Sequence, residues 1–195
     1  MFKTKPLACS QIVATDLYGV ISKQGKIPWH SKKDFEWFRL HTVGKVCLVG
    51  NNTFKTLPTL KNRILIPVSR TNKYGNSRPE DWIKTALKVQ EEQLHITNQE
   101  IVVIGGNEIY KFFQPKTNRV YLTTIKEYVN GPDNKQEDGS ELYYDTFCFD
   151  EQWKELYKST TVDQDFTLRD NIPKTTNVVF RILQKQLETE NNNGK

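Results

Sequence analysis

A chain of 195 residues is long enough to bury a core as one domain; it has no membrane-length apolar run, and its first residues lead to no expectation of a signal peptide. The net charge is +5, but the 28 basic residues are scattered, which argues against a nucleic-acid-binding role. Cys9, Cys47 and Cys148 show no metal-binding spacing and read as free thiols in a reducing compartment, with no metal site expected.

Residues 7–15 are predominantly apolar and predict a buried strand. Residues 16–26 carry Gly19 and Gly25 and read as a loop. It is longer than most strand-to-helix connections, so it is either a lid over a site or an ordinary surface loop. Pro28-Trp29 follows, then Ser31-Lys32-Lys33-Asp34, which fits the capping pattern before an apolar run. The spacing predicts a helix over 32–41, with Phe35, Phe38 and Thr42 on one face. Asp34 admits two readings. It is a first-turn acid at the positive end of a helix, the commoner case, or a carboxylate kept partly dry beside aromatic rings. The second would have a perturbed pKa and could pair with a protonatable heterocycle.

Residues 46–49 predict a short strand, followed by the turn Gly50-Asn51-Asn52-Thr53 and a short helix over 54–57. Such a turn presents backbone N–H groups to an anion, although many α/β proteins have one without a ligand. Residues 63–70 predict another strand, which Pro67 assigns to an edge or a bulge. Its end, Ser69-Arg70, suits a phosphate monoester, or is simply a polar strand end. Pro79 and the acids after it open a second long helix reaching about residue 93. Residues 100–104 are the clearest buried strand. Gly105-Gly106 ends it, where bare backbone allows close approach, and Asn107-Glu108-Ile109-Tyr110 starts a helix. This is not the G-x-G-x-x-G fingerprint, so an ordinary dinucleotide fold is disfavoured.

Residues 119–125 predict a further strand, 130–140 a polar inserted loop, and 154–162 with 177–184 an antiparallel pair. Residues 188–195 read as a frayed tail. The expectation is one α/β domain over 1–187. Its mostly parallel central sheet ends in an antiparallel C-terminal pair and is flanked by about four helices.

Several stretches together resemble the dihydrofolate reductase family. They are Ile12-Val13-Ala14, Gly25-Lys26-Ile27-Pro28-Trp29 with an acid five residues after the Trp, Phe38, and Gly50-Asn51-Asn52-Thr53-Phe54. They continue with Leu60, Arg63, Ser69-Arg70, residues 101–110 and Tyr121-Leu122-Thr123. Order and spacing agree from about residue 7 to 125, and more loosely to 186. The spacing of Asp34 is that of a divergent bacterial- or phage-type member. The set as a whole reverses the balance in favour of Asp34 as a functional acid.

The resemblance implies reduction of 7,8-dihydrofolate to tetrahydrofolate by NADPH, in one-carbon metabolism, by a monomeric cytoplasmic enzyme open to antifolate inhibitors. It implies no membrane or nucleic-acid partner. On this reading Asp34 binds the 2-amino group and N3 of the pterin, Thr123 supports that acid, and Trp29 holds a water beside it. Ile12 and Ile104 offer carbonyls, while Phe38 and Leu60 flank the aminobenzoyl group. Arg63, braced by Thr42, grips the glutamate carboxylate. For the cofactor, Ala14, Ile21 and Tyr110 lie near the nicotinamide, and Gly105 and Gly106 lie against it through a cis peptide. Gly50, Asn51, Thr53, Asn107, Glu108 and Ile109 surround the pyrophosphate, and Ser69 and Arg70 take the 2′-phosphate.

Some positions depart from the family pattern. Asn51 and Asn52 stand where relatives carry a basic residue, and Glu108 stands where some do. Asn107 replaces a third glycine and Ser22 a lid glycine. Asp145-Thr146 is a candidate for the pair that touches the lid. Rival readings are a pyrimidine reductase of riboflavin synthesis with the same fold, and a non-catalytic binding protein that kept it.

Overall fold

The computed structural model describes residues 9–72, 75–95, 100–129, 144–147, 153–168 and 173–186. The inserted loop over 130–140, the tail over 188–195 and Cys148 lie outside the described residues. The chain begins with β1 (Cys9–Thr15), β2 (Val20–Lys23), β3 (Trp29–His30), α1 (Lys32–Thr42), β4 (Val46–Gly50), α2 (Asn51–Thr56) and β5 (Ile64–Val68). A small hairpin, β6 (Thr71–Asn72) and β7 (Gly75–Asn76), precedes α3 (Pro79–Val89), which widens into a π-helical turn at Gln90–Leu94. Then come β8 (Ile101–Val103), α4 (Asn107–Phe113), β9 (Arg119–Ile125), β10 (Tyr144–Thr146), β11 (Trp153–Leu168) and β12 (Pro173–Lys185).

Eight strands form one sheet in the order β3-β11-β12-β9-β1-β8-β4-β5. The half from β9 to β5 is parallel, and β12, β11 and β3 add antiparallel pairings. This is the predicted mixed α/β sheet. β5 is an edge, so Pro67 forfeits no ladder bond there.

The period of two along each buried strand divides the core between the two faces. Cys9, Val13, Leu48, Val103, Val120 and Leu122 pack with Ile109 and Phe113 of α4 and Ala86 of α3. Ile12, Cys47, Val49, Val102 and Tyr121 pack on the other face with Trp37 of α1. Burial pushes the free thiols Cys9 and Cys47 up to about 12, as befits inert core side chains.

Three local expectations are corrected. Residues 16–26 are not all loop, because β2 forms within them and pairs antiparallel with β10. A strand of four residues with one fully buried side chain is too short to stand out by alternation. The helix predicted over 54–57 starts earlier, at Asn51, with Gly50 as its cap. On α1, Phe35 is 52% exposed and meets the His30 ring at a tilt at the rim, whereas Trp37 and Thr42 are buried. The inward stripe therefore runs 34, 37, 38, 41, 42, the i, i+3, i+4, i+7, i+8 pattern of a helix on a sheet.

Candidate active site

That stripe places a carboxylate where a core-facing helix usually has an apolar side chain. The cap does not compete for it. Ser31 Oγ accepts from the Asp34 backbone N–H at 3.1 Å, and Ser31 itself donates to Asp163 Oδ2 at 2.6 Å. Capping uses the backbone of Asp34 and leaves its side chain to the cleft, so both sequence readings describe the same residue.

Burial lifts the Asp34 carboxyl from 3.8 to about 6. The nearby Thr123 hydroxyl offsets part of the rise, and the Asp163 carboxylate adds to it. Thr123 follows Tyr121 by two residues on β9, hence it faces α1. It is fully buried, and its Oγ1 has no hydrogen-bond partner within ordinary distance among the described residues. The same is true of the indole Nε1 of Trp29, which is 5% exposed. An acid able to take a proton near neutral pH thus lies beside a buried hydroxyl and a buried indole N–H.

Around this acid, Tyr110 donates its hydroxyl to the Ile12 carbonyl at 2.7 Å, leaving that oxygen one further lone pair. Burial and the Asp34 charge both push Tyr110 ionisation up, so it remains a donor. Gln11 Nε2 donates to the Tyr110 carbonyl at 2.8 Å, tying α4 to β1. The Ile104 N–H donates to the Leu48 carbonyl at 2.9 Å. Phe38, Leu60 and Ala14 are partly buried against the core on the α1 side, while Ile21 packs on the opposite one.

Further along the same face, Arg63 Nε donates to Thr42 Oγ1 at 2.8 Å, and Thr42 donates to the Phe38 carbonyl at 2.6 Å. The Arg63 guanidinium lies 5.4 Å from the centre of the Phe38 ring. Thr42 and Phe38 thereby hold a cation beside an aromatic wall, with the fork of Arg63 available for an anion.

The third part of the cleft is built from backbone. The Gly105-Gly106 peptide is cis. The Gly50 N–H donates to the Gly105 carbonyl at 2.6 Å. A Cβ at Gly106 would lie 2.9 Å from Thr53 Oγ1, and one at Gly50 would lie 2.8 Å from Ile109 Cγ1. Gly105 has φ +116, a conformation side chains disfavour. This close cradle joins the start of α2 to the start of α4, where Asn107 stands. Beyond it a depression of about 560 Å³ is lined by Ser69, Arg70, Thr71, Ser77 and Phe112. Arg70 Nη1 is paired with Glu108 Oε2 at 2.7 Å.

One residue escaped the sequence. Asp163 is 2% exposed and accepts from Ser31 and from the Lys33 N–H, 130 residues or more away in the chain, with no local signal to mark it. Asp145 and Thr146, the candidate pair named from the sequence, pair through the backbone with Ser22 and Val20 in the segment 16–26.

The sequence pattern of the dihydrofolate reductase family matches residues 8–137. The dihydrofolate reductase of Haemophilus influenzae is 32% identical over 124 residues, 63% of this chain and 74% of that protein. That of Buchnera aphidicola subsp. Baizongia pistaciae is 28% identical over 180 residues, 90% of this chain and 97% of the other. A solved dihydrofolate reductase from Enterococcus faecalis, complexed with NADP(H) and RAB-propyl, shares the fold. Its TM-score is 0.66 at 20% identity, with 93% of this chain and 98% of that one covered. With more than half its length matched and these relatives beside it, the chain belongs to the dihydrofolate reductase family.

Proposed function

We propose that this enzyme reduces 7,8-dihydrofolate to 5,6,7,8-tetrahydrofolate with NADPH, and that Asp34 is its acid. The observation that carries the reading is one half-dry carboxyl, lifted to about 6, on the inward stripe of α1 beside buried hydroxyl and indole groups. The ionised carboxylate accepts from the 2-amino group and N3 of the pterin, which makes N5 more basic. Thr123 braces the carboxylate, and the Trp29 indole N–H orients a water that can carry the proton to N5. Ile12 and Ile104 present carbonyls to the pterin edge, Phe38 and Leu60 sandwich the aminobenzoyl ring, and Arg63, held by Thr42, binds the glutamate tail.

The residues present fit a dinucleotide. A Cβ would fill the cradle of Gly50, Gly105 and Gly106, so bare backbone meets the pyrophosphate beside Asn51, Thr53, Asn107 and Ile109. Ala14, Ile21 and Tyr110 border the nicotinamide, and Ser69 and Arg70 take the 2′-phosphate. When bound, the nicotinamide supplies hydride for C6 of the pterin. The protein's part is proximity, exclusion of water and the Asp34 charge. Pairing of β2 with β10 gives the lid a structured strand from which to cover the cleft.

A monomeric, cytoplasmic enzyme that binds antifolates belongs to the same proposal. No helix among the described residues is long and apolar enough to cross a membrane. The buried free thiols of Cys9 and Cys47 suit a reducing compartment.

The test is the near-ultraviolet absorbance of reduced nicotinamide after mixing enzyme, NADPH and dihydrofolate. A fall that needs dihydrofolate and stops with an antifolate supports the reading. No fall in a folded sample refutes it.

A further inference from the structure

The depression beyond the glycine cradle carries hydroxyls from Ser69, Thr71 and Ser77 and a single guanidinium, that of Arg70. Such a lining suits a phosphate monoester. Yet the guanidinium already has an anion. Glu108, on the first turn of α4, accepts from Arg70 Nη1 at 2.7 Å, and its other oxygen lies 3.8 Å from Lys111 Nζ. The first two residues of α2, Asn51 and Asn52, bring no charge. One cation therefore faces two claimants, a resident carboxylate and an incoming phosphate.

We propose that Glu108 is a specificity-determining residue for the cofactor. Its carboxylate competes with the 2′-phosphate for Arg70, so the enzyme separates NADPH from NADH only weakly. The inference rests on the cofactor site proposed above. A 2′-phosphate must displace the carboxylate or sit beside it against like-charge repulsion. A 2′-hydroxyl carries no charge and meets neither obstacle.

The pair is exposed, with Arg70 at 56% and Glu108 at 55%. Water and salt screen it, so the contest changes affinity by about tenfold rather than by several decades. Lys111 does not reverse the argument. It lies on the same helix as Glu108, at the other carboxylate oxygen, and is absent from the lining of the depression.

The test is binding, read without turnover. Dissociation constants for NADPH, NADH and adenosine 2′,5′-bisphosphate are measured by calorimetry on the parent, Glu108→Gln, Glu108→Ala, Arg70→Ala and the double variant Arg70→Ala/Glu108→Gln. Both Glu108 variants should tighten NADPH and the bisphosphate by about 5- to 10-fold and change NADH by less than about twofold. High salt should shrink the gain, and the Arg70→Ala background should abolish it.

An unchanged NADPH-to-NADH ratio in both Glu108 variants overturns the proposal. So does weaker NADPH binding, which would mean that Glu108 aims Arg70 at the phosphate. If the parent binds and oxidises NADPH with dihydrofolate but the variants show no shift, only this inference falls. If the parent binds neither dinucleotide, the cofactor site itself is refuted and this inference with it.

Discussion

Replacing Asp34 with Asn should cost activity and add stability, and the same burial explains both. The carboxyl rises from 3.8 to about 6 on folding. At about 1.4 kcal/mol per unit, ionising it inside the fold is disfavoured by about 3 kcal/mol relative to the unfolded chain. Solvent at the cleft mouth screens part of this, leaving about 1–3 kcal/mol. Below pH 3.8 both states hold the proton and the penalty is absent. It develops as pH rises from 3.8 toward 6 and is full at neutral pH. Asn cannot ionise, and the Ser31 cap uses the backbone N–H, which the substitution keeps. Asp34→Asn should therefore melt about 2–10 °C higher than the parent at pH 7.5, with the difference vanishing near pH 3.5. Turnover at pH 7.5 should fall by about 100-fold or more and recover in part at low pH, where substrate arrives already protonated. Thermal melts and dihydrofolate-dependent NADPH oxidation across the same pH series test this. A variant that melts lower than the parent and turns over normally would refute the reasoning, because Asp34 would then be a stabilising helix acid only.

Three further outcomes follow from contacts described above. Arg63→Lys loses the planar fork and the bond from Nε to Thr42, so KM for dihydrofolate should rise about 10- to 100-fold while KM for NADPH stays constant in steady-state assays. Ser31→Ala removes the helix cap and one donor to buried Asp163, which should cost about 1–3 kcal/mol in urea unfolding. Burial, followed by the Lys45 charge, lowers His41 from 6.5 to about 4, with Glu100 opposing and Arg119 assisting, and its ring lies between Trp37 and Tyr121. The neutral ring's contribution is complete above pH 6.5 and is lost as pH falls toward 4. His41→Phe keeps the ring contacts and should lose less stability than the parent between pH 7 and pH 4, by about 1–2 kcal/mol once solvent screening of the half-buried ring is allowed for, measured by denaturant titration.

The order of the long central strands and the helices, the glycine turns, the edge strand with Pro67 and the aromatic helix with one acid in its first turn were legible in the sequence. Each is written in local chemistry: apolar runs, backbone freedom, a missing N–H, a periodic stripe. The stripe also held more than its first reading. Taken as 34, 37, 38, 41, 42 rather than 35, 38, 42, it already places Asp34 among inward-facing residues, and Phe35 misled because an aromatic can close a cleft rim as well as fill a core.

What the chain alone could not decide depends on contacts between distant segments. Nothing near Asp163 announces that a polar strand delivers a carboxylate to a helix cap 132 residues away. The short β2 becomes a strand only because β10 pairs with it. The pKa of Asp34 needs both the α1 stripe and the β9 face before burial can act on it. Arg70 reads as a phosphate ligand until α4 lays Glu108 against it. Local sequence determined the long strands, the helices and most of the groups that carry chemistry. Desolvation and charge pairing depend on distance in space, so the tertiary structure alone decided how each of those groups is tuned.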